Sequence, residues 1–307
     1  MKLQQVTEAA NIIVQATKKL EYVSPVRFAE AAEGISLKLE LAGDTFQTCH
    51  KRGEFQLLKT MDEAIRFAKD ALGIKSFKMS NLDLSNYTLL GLDRIKKVTG
   101  GDIGIKKVIG KEIIVHPITG EPNVGILGSM ISSKGILILS ESAIRRDFAS
   151  KISKLGALDT KHIKEYTKLL VDLQGGKVPL CEIMQKLKNL NFNPRTIDDI
   201  PNQTVFHEVW HRLHYLNCSK VGIDYYKLGK REELNAWGIS DRHFLEEFMS
   251  PDVQKTISKY KMVGHYALTS PCEFVAEVGS LIANGIKPPK EIMDLYYKFY
   301  GPKVILI

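Results

Sequence analysis

The sequence predicts an α+β fold, mainly helical with a small mixed sheet, and three observations carry that prediction. Strand-like runs are confined to residues 100–142, helical periodicity dominates from 143 to the end, and further helical segments precede both. The N-terminal stretch MKLQQVTEAANIIVQATKKLEYV reads as an amphipathic helix over 1–22. In TMDEAIRFAKDALG, Thr60 and Glu63 make a capping box, Ile65, Ala68 and Leu72 fall at helical spacing, and Gly73 stops the helix. LSNYTLLGLDRIKKV, 84–98, reads as another helix. Between 100 and 142, EIIVH and GILILS are short apolar or β-branched runs punctuated by ITGEP and SSKG, the pattern of strands and turns. The glycines of GGDIGIKKVIGKE lack a GK[ST] ending, so a glycine-rich turn is expected there rather than a phosphate loop.

Composition bounds the function classes. At 307 residues, with 44% hydrophobic and 25% charged residues, the chain has the make-up of a soluble protein with a well-buried core. No apolar run approaches the length of a membrane span, so no membrane partner is expected. The N-terminus lacks the apolar block of a secretion signal, which makes a cytoplasmic protein the default and leaves signal-less secretion or virion association as alternatives. Cys49, Cys181, Cys218 and Cys272 show no CxxC pairing, so neither a disulfide framework nor a cysteine-built zinc finger is expected. Cys49 beside His50 does not make a nucleophile, because side chains adjacent in sequence rarely meet. The net charge of +8 comes from dispersed lysines without interleaved aromatics, which favours a solvated basic surface over nucleic-acid binding.

The stretch VFHEVWHRLHY, 205–215, carries the chemistry. On a helical wheel Val205, Phe206, Val209, Trp210, Leu213 and Leu216 share one broad face, while His207, Glu208, His211 and His214 fall on the other. His207 and His211, one turn apart, are spaced to bind one zinc ion through both imidazoles, and Glu208 is placed to take a proton from water at that ion. This is HExxH. The competing reading is a solvated helix face with idle histidines, for which histidine is a poor choice. His214 lies two turns from His207, too far along the axis to share its ion, and is expected behind the ligands, in a groove or exposed. The longer pattern HExxHxxGxxH fails, since its glycine position is His214 and its last position is Asn217.

A catalytic zinc site needs a third protein ligand. Downstream, a helix opened by Ser270 and Pro271 and closed near Gly285 carries Glu273 and Glu277 one turn apart, and either could complete the set. Glu273 also fits a capping box with Ser270, which on local grounds alone is the preferred reading.

HEVWH followed by YALTSPCEFVAE, 266–277, resembles the zincin domain of anthrax lethal factor and its relatives, which share HExxH, a later tyrosine and an E-F-hydrophobic-A-E helix. The resemblance covers roughly the last third of the chain. It implies a zincin-like fold with one zinc ion, Glu273 as third ligand, Glu277 supporting a ligand histidine, and Tyr266 stabilising an oxyanion or protonating the leaving group. Two departures affect the groove. The segment between His211 and Glu273 is long, and Trp210 stands where a small residue often precedes the second histidine. The region 60–92 is also similar to zincin-like modules of phage and mobile-element proteins. The resulting expectation is a zinc-dependent metallopeptidase acting on a protein or peptide, with GILILS as the edge strand along which substrate lies. A non-proteolytic assembly module of a phage or mobile element is the alternative. The corresponding division is an N-terminal helical segment, 1–45, and a zincin-like domain, 46–307, whose helices and sheet (46–142) precede the helical half with the zinc site (143–307).

Overall fold

In the computed structural model, residues 57–115, 122–123, 125–190, 196, 199, 202–228 and 242–305 are described. The expected N-terminal helix, the boundary near residue 45 and the Cys49–His50 pair lie outside them.

Ten α-helices and four strands make up the described chain, in the order α1 (Met61–Asp70), β1 (Ser76–Lys78), α2 (Leu82–Thr99), β2 (Lys107–Lys111), β3 (Gly128–Ile131), β4 (Ile136–Ser140), α3 (Glu141–Leu158), α4 (Ile163–Gln174), α5 (Leu180–Asn189), α6 (Gln203–Lys220), α7 (Arg242–Phe248), α8 (Pro251–Lys259), α9 (Pro271–Ala283) and α10 (Lys290–Lys298). The fold class is therefore α+β, mainly helical with one small mixed sheet.

Local chemistry sets the element ends. Thr60 accepts from the Glu63 amide at 3.2 Å as the sequence predicts, while the Glu63 carboxylate accepts from the Lys59 amide at 2.6 Å, one residue before the N-cap amide that a capping box uses. Asn81 caps α2 through the Leu84 amide, and Gly100, at φ 65°, ends it in the left-handed conformation that glycine adopts without strain. The glycine-rich stretch that follows is a turn into β2, not a phosphate loop: Gly104 donates to Asp102 at 2.8 Å. Ser140, the last residue of β4, accepts from the Ala143 amide and starts α3.

The sheet order is β1-β2-β4-β3, with β1 and β2 parallel. Two sequence expectations are corrected here. EIIVH is not a strand: pairing ends at Lys111, and Val115 makes only an isolated bridge with Pro122. GILILS, expected at an edge, forms β4, which has neighbours on both sides, while the edge falls to GSMI, β3, which has no alternating pattern to announce it.

The chain forms two compact units. One holds the described residues within 110–127 and 139–192, where α3, α4 and α5 bury Ile144, Phe148, Ile152, Leu169, Leu173 and Leu187. The other holds the described residues within 57–109, 128–138 and 196–305, and its core centres on α6 and α9. Trp210 is fully buried there, and its indole lies so close to Gly279 of α9 that a Cβ at that position would overlap the ring. A large residue inside HExxH is thus matched by a glycine on the facing helix, which lets the two backbones approach.

Candidate metal centre

Helix α6 is buried on both faces, which removes the reading of its histidines as a solvated surface. His207 is 8% exposed and His214 is 0% exposed. Apolar burial on one side explains the helix but not the polar side chains on the other.

His207 and His211 stand one turn apart on α6, with Nε2 atoms 3.1 Å from each other. Glu273, in the first turn of α9, brings Oε2 to 3.1 Å from Nε2 of His207 and 3.3 Å from Nε2 of His211. Among the described residues these three form the one group of histidine, cysteine and acidic side chains spaced to hold a metal ion. Glu273 also sits where the capping box predicts: its own amide donates to Ser270 Oγ at 3.3 Å. Cap and ligand do not compete, because the cap here uses the Glu273 backbone while the carboxylate faces the histidines.

The arrangement fits a metal. Bonds of about 2.0–2.1 Å in a tetrahedron put ligand atoms roughly 3.3–3.4 Å apart, close to the separations seen. Three lone-pair-bearing atoms this near to each other repel unless a cation or a proton lies among them, and Glu273 Oε2 is buried without a hydrogen bond. Protonation offsets part of the crowding. Burial works against charge on His207, but Glu277 and Glu273 outweigh it and raise its pKa well above the usual value. Burial would likewise raise Glu273, yet the two imidazoles hold its carboxyl well below the usual range. Two imidazoles and one carboxylate are a donor set that could hold a metal ion.

The atoms behind the triad are also ordered. Glu277 Oε1 lies 2.6 Å from Nδ1 of His207 and accepts from Gln203 at 3.3 Å, so Glu277 stands behind a ligand rather than among the ligands. Glu208, half-buried on α6, lies within electrostatic reach of His207, of His211 and of the Met130 backbone in β3. Burial raises its pKa, and the charges of His207 and His211 and the Met130 amide pull the other way. Tyr266, on a short turn at Tyr266–Leu268, has its ring centroid 5.7 Å from that of His207. Burial, then the Glu273 carboxylate, raises its phenol far above the ordinary value, so it stays protonated. His214, expected behind the ligands, in a groove or exposed, is fully buried and outside the ligand set: its Nε2 donates to the Phe299 carbonyl at 2.8 Å, two helical turns along the axis from His207.

Sequence reasoning missed Tyr225, whose hydroxyl is 2.8 Å from Nδ1 of His211, as well as Gln203. No fixed spacing ties these residues to HExxH. Cys272 is buried, with its thiol near the Tyr225 carbonyl at 3.8 Å, which is a packing position. No helix among the described residues is long and apolar enough to cross a membrane. Comparison with protein-family models, curated proteins and solved structures gives no match.

Proposed function

We propose that the chain is a zinc-dependent metallopeptidase of zincin type, in which His207, His211 and Glu273 hold the ion. The observation that carries the reading is the convergence of two imidazole nitrogens and one carboxylate oxygen within 3.1–3.3 Å, with Glu208 next to them in sequence. Zinc at such a site supplies Lewis-acid polarisation of a water and of the scissile carbonyl.

The protein's own groups account for the proton movements. Glu208 is free of the ligand set, and its raised pKa suits a base that takes a proton from the attacking water and returns it to the leaving amine. Tyr266 keeps its proton and is placed to donate to the developing oxyanion. The Ser140 amide donates to the Leu127 carbonyl at 2.8 Å, so Leu127 faces β4 and, by the alternation of the strand backbone, Met130 faces the free edge of β3. An extended peptide pairing with that edge would run past the base, which favours a peptide substrate.

The test is elemental analysis of purified protein, wild type beside Glu273→Gln, with peptide-library cleavage on the same samples. We expect about one zinc per chain in the wild type, a large loss in Glu273→Gln, and cleavage abolished by a chelator and restored by zinc. Stoichiometric zinc with no cleavage of any peptide would move the reading to a zincin-like assembly module of a phage or mobile element. Failure of the wild type to take up zinc, even when it is supplied, would end it.

A further inference from the structure

The two histidines of the triad are braced by different chemistry, and the difference draws in the third histidine of the motif. Nδ1 of His207 meets a carboxylate, Glu277, at 2.6 Å, whereas Nδ1 of His211 meets a phenol, Tyr225, at 2.8 Å. Tyr225 begins a short turn at Tyr225–Leu228, just beyond the end of α6, so the chain folds back to put its ring beside the helix it has left. The ring is 9% exposed and packs edge-on against His214, with centroids 5.2 Å apart and planes at 90°. His214 is itself fixed by its bond to the Phe299 carbonyl. A fixed imidazole thus holds a phenol against a ligand imidazole.

We propose that Tyr225, backed by His214, is a positioning residue that holds His211 in the tautomer able to bind a metal. The inference rests on the ligand set proposed above. A neutral imidazole that gives its Nε2 lone pair to a metal must carry its proton on Nδ1. That Nδ1–H needs an acceptor, and the Tyr225 oxygen is the atom within hydrogen-bonding distance. The phenol can accept this proton while directing its own toward the side chains of Ser132 or Cys272, which flank it. A carboxylate in the same place would add a second negative charge behind the ligands. The neutral phenol orients the ring without that charge, and so preserves the Lewis acidity that a nearby carboxylate would reduce.

The prediction is read first as zinc affinity, by chelator competition, on full-length Tyr225→Phe. Loss of a partner behind a ligand costs about 10- to 100-fold in affinity, and that loss is expected here with the melting temperature of the metal-free protein held within a few degrees. Tyr226→Phe, on the exposed neighbour, should bind zinc as the wild type does. The second readout is long-range ¹⁵N–¹H correlation of the imidazoles in the metal-free wild type, which should show His211 chiefly protonated at Nδ1; this does not depend on the variant folding. Wild-type affinity in Tyr225→Phe, or His211 protonated chiefly at Nε2 in the wild type, would overturn the inference while leaving the metal site intact. Absence of zinc from the wild type would instead remove the reading on which it stands.

Discussion

The two sides of α6 use similar residues to opposite effect. On the side facing Glu273, two imidazoles and a carboxylate bring three acceptor atoms within 3.1–3.3 Å of each other. On the side facing α10 and the segment after it, polar groups find matched partners: Trp210 Nε1 donates to the Tyr296 hydroxyl at 2.9 Å, that hydroxyl donates to the Pro302 carbonyl at 2.9 Å, His214 donates to Phe299, and Asn217 donates to the Tyr300 carbonyl at 2.9 Å. His211 and His214 are three residues apart and belong to different systems. A buried histidine whose donor has found an acceptor is part of the scaffold; one whose lone pair faces other lone pairs marks a site. The first side crowds acceptors together, whereas on the second each donor named here has found an acceptor, although His214 Nδ1 is buried without a partner.

The sharpest way to separate the two sides is Glu208→Gln. Removing the base while keeping every ligand should lower peptide cleavage about 10²- to 10⁴-fold and leave zinc at one per chain. Turnover and elemental analysis on one preparation check this, and an unchanged rate would take Glu208 out of the mechanism.

Gly279→Ala addresses the other side. The new methyl has to displace the Trp210 indole, and overpacking of this kind costs about 1–3 kcal/mol, measured as a lower denaturant midpoint. Zinc bound per folded molecule should stay the same. If metal uptake fell in step with stability, the two sides would not be separable.

The smallest effect is a pH dependence. Burial first, and the charge of His211 second, depress His214 to a pKa of about 3. The unfolded chain, with a histidine pKa of about 6.5, therefore binds one more proton than the native state as pH falls from 6.5 toward 3. The stability that neutral His214 contributes is present above 6.5 and is lost through that window, at up to about 1.4 kcal/mol per pH unit. His214→Gln, which can still donate to Phe299, should flatten this slope in denaturant titrations at pH 7, 6 and 5. An unaltered slope would mean that His214 is not the group responsible.

Legibility in the sequence followed the range of the interactions. The cap at Thr60, the end of α1 just before Gly73 and the placing of His207 and His211 on one helix face are set within a few residues, and the sequence predicts them. Three-residue β1 and four-residue β3 are too short to carry a period, and the position of β4 inside the sheet depends on partners far along the chain. Wheel analysis separated the apolar side chains of α6 from its histidines correctly. It had no means of showing that the second face is also covered, because that cover comes from α9, β3 and the turn at Tyr225–Leu228.

By itself, then, the amino-acid order determined a helix with HExxH, a later helix with two glutamates one turn apart, and a fold of the α+β class. All of these are properties of spacing, fixed by 3.6 residues per turn and by local capping. Only the tertiary structure decided which glutamate faces the histidines and which stands behind one of them, that His214 belongs to the scaffold, and that a phenol 14 residues beyond His211 in the chain reaches its ring. Those choices turn on a few ångströms between side chains from separate elements. Distances of that kind exist only once burial has packed α6 against α9 and removed the water that would otherwise stand between them.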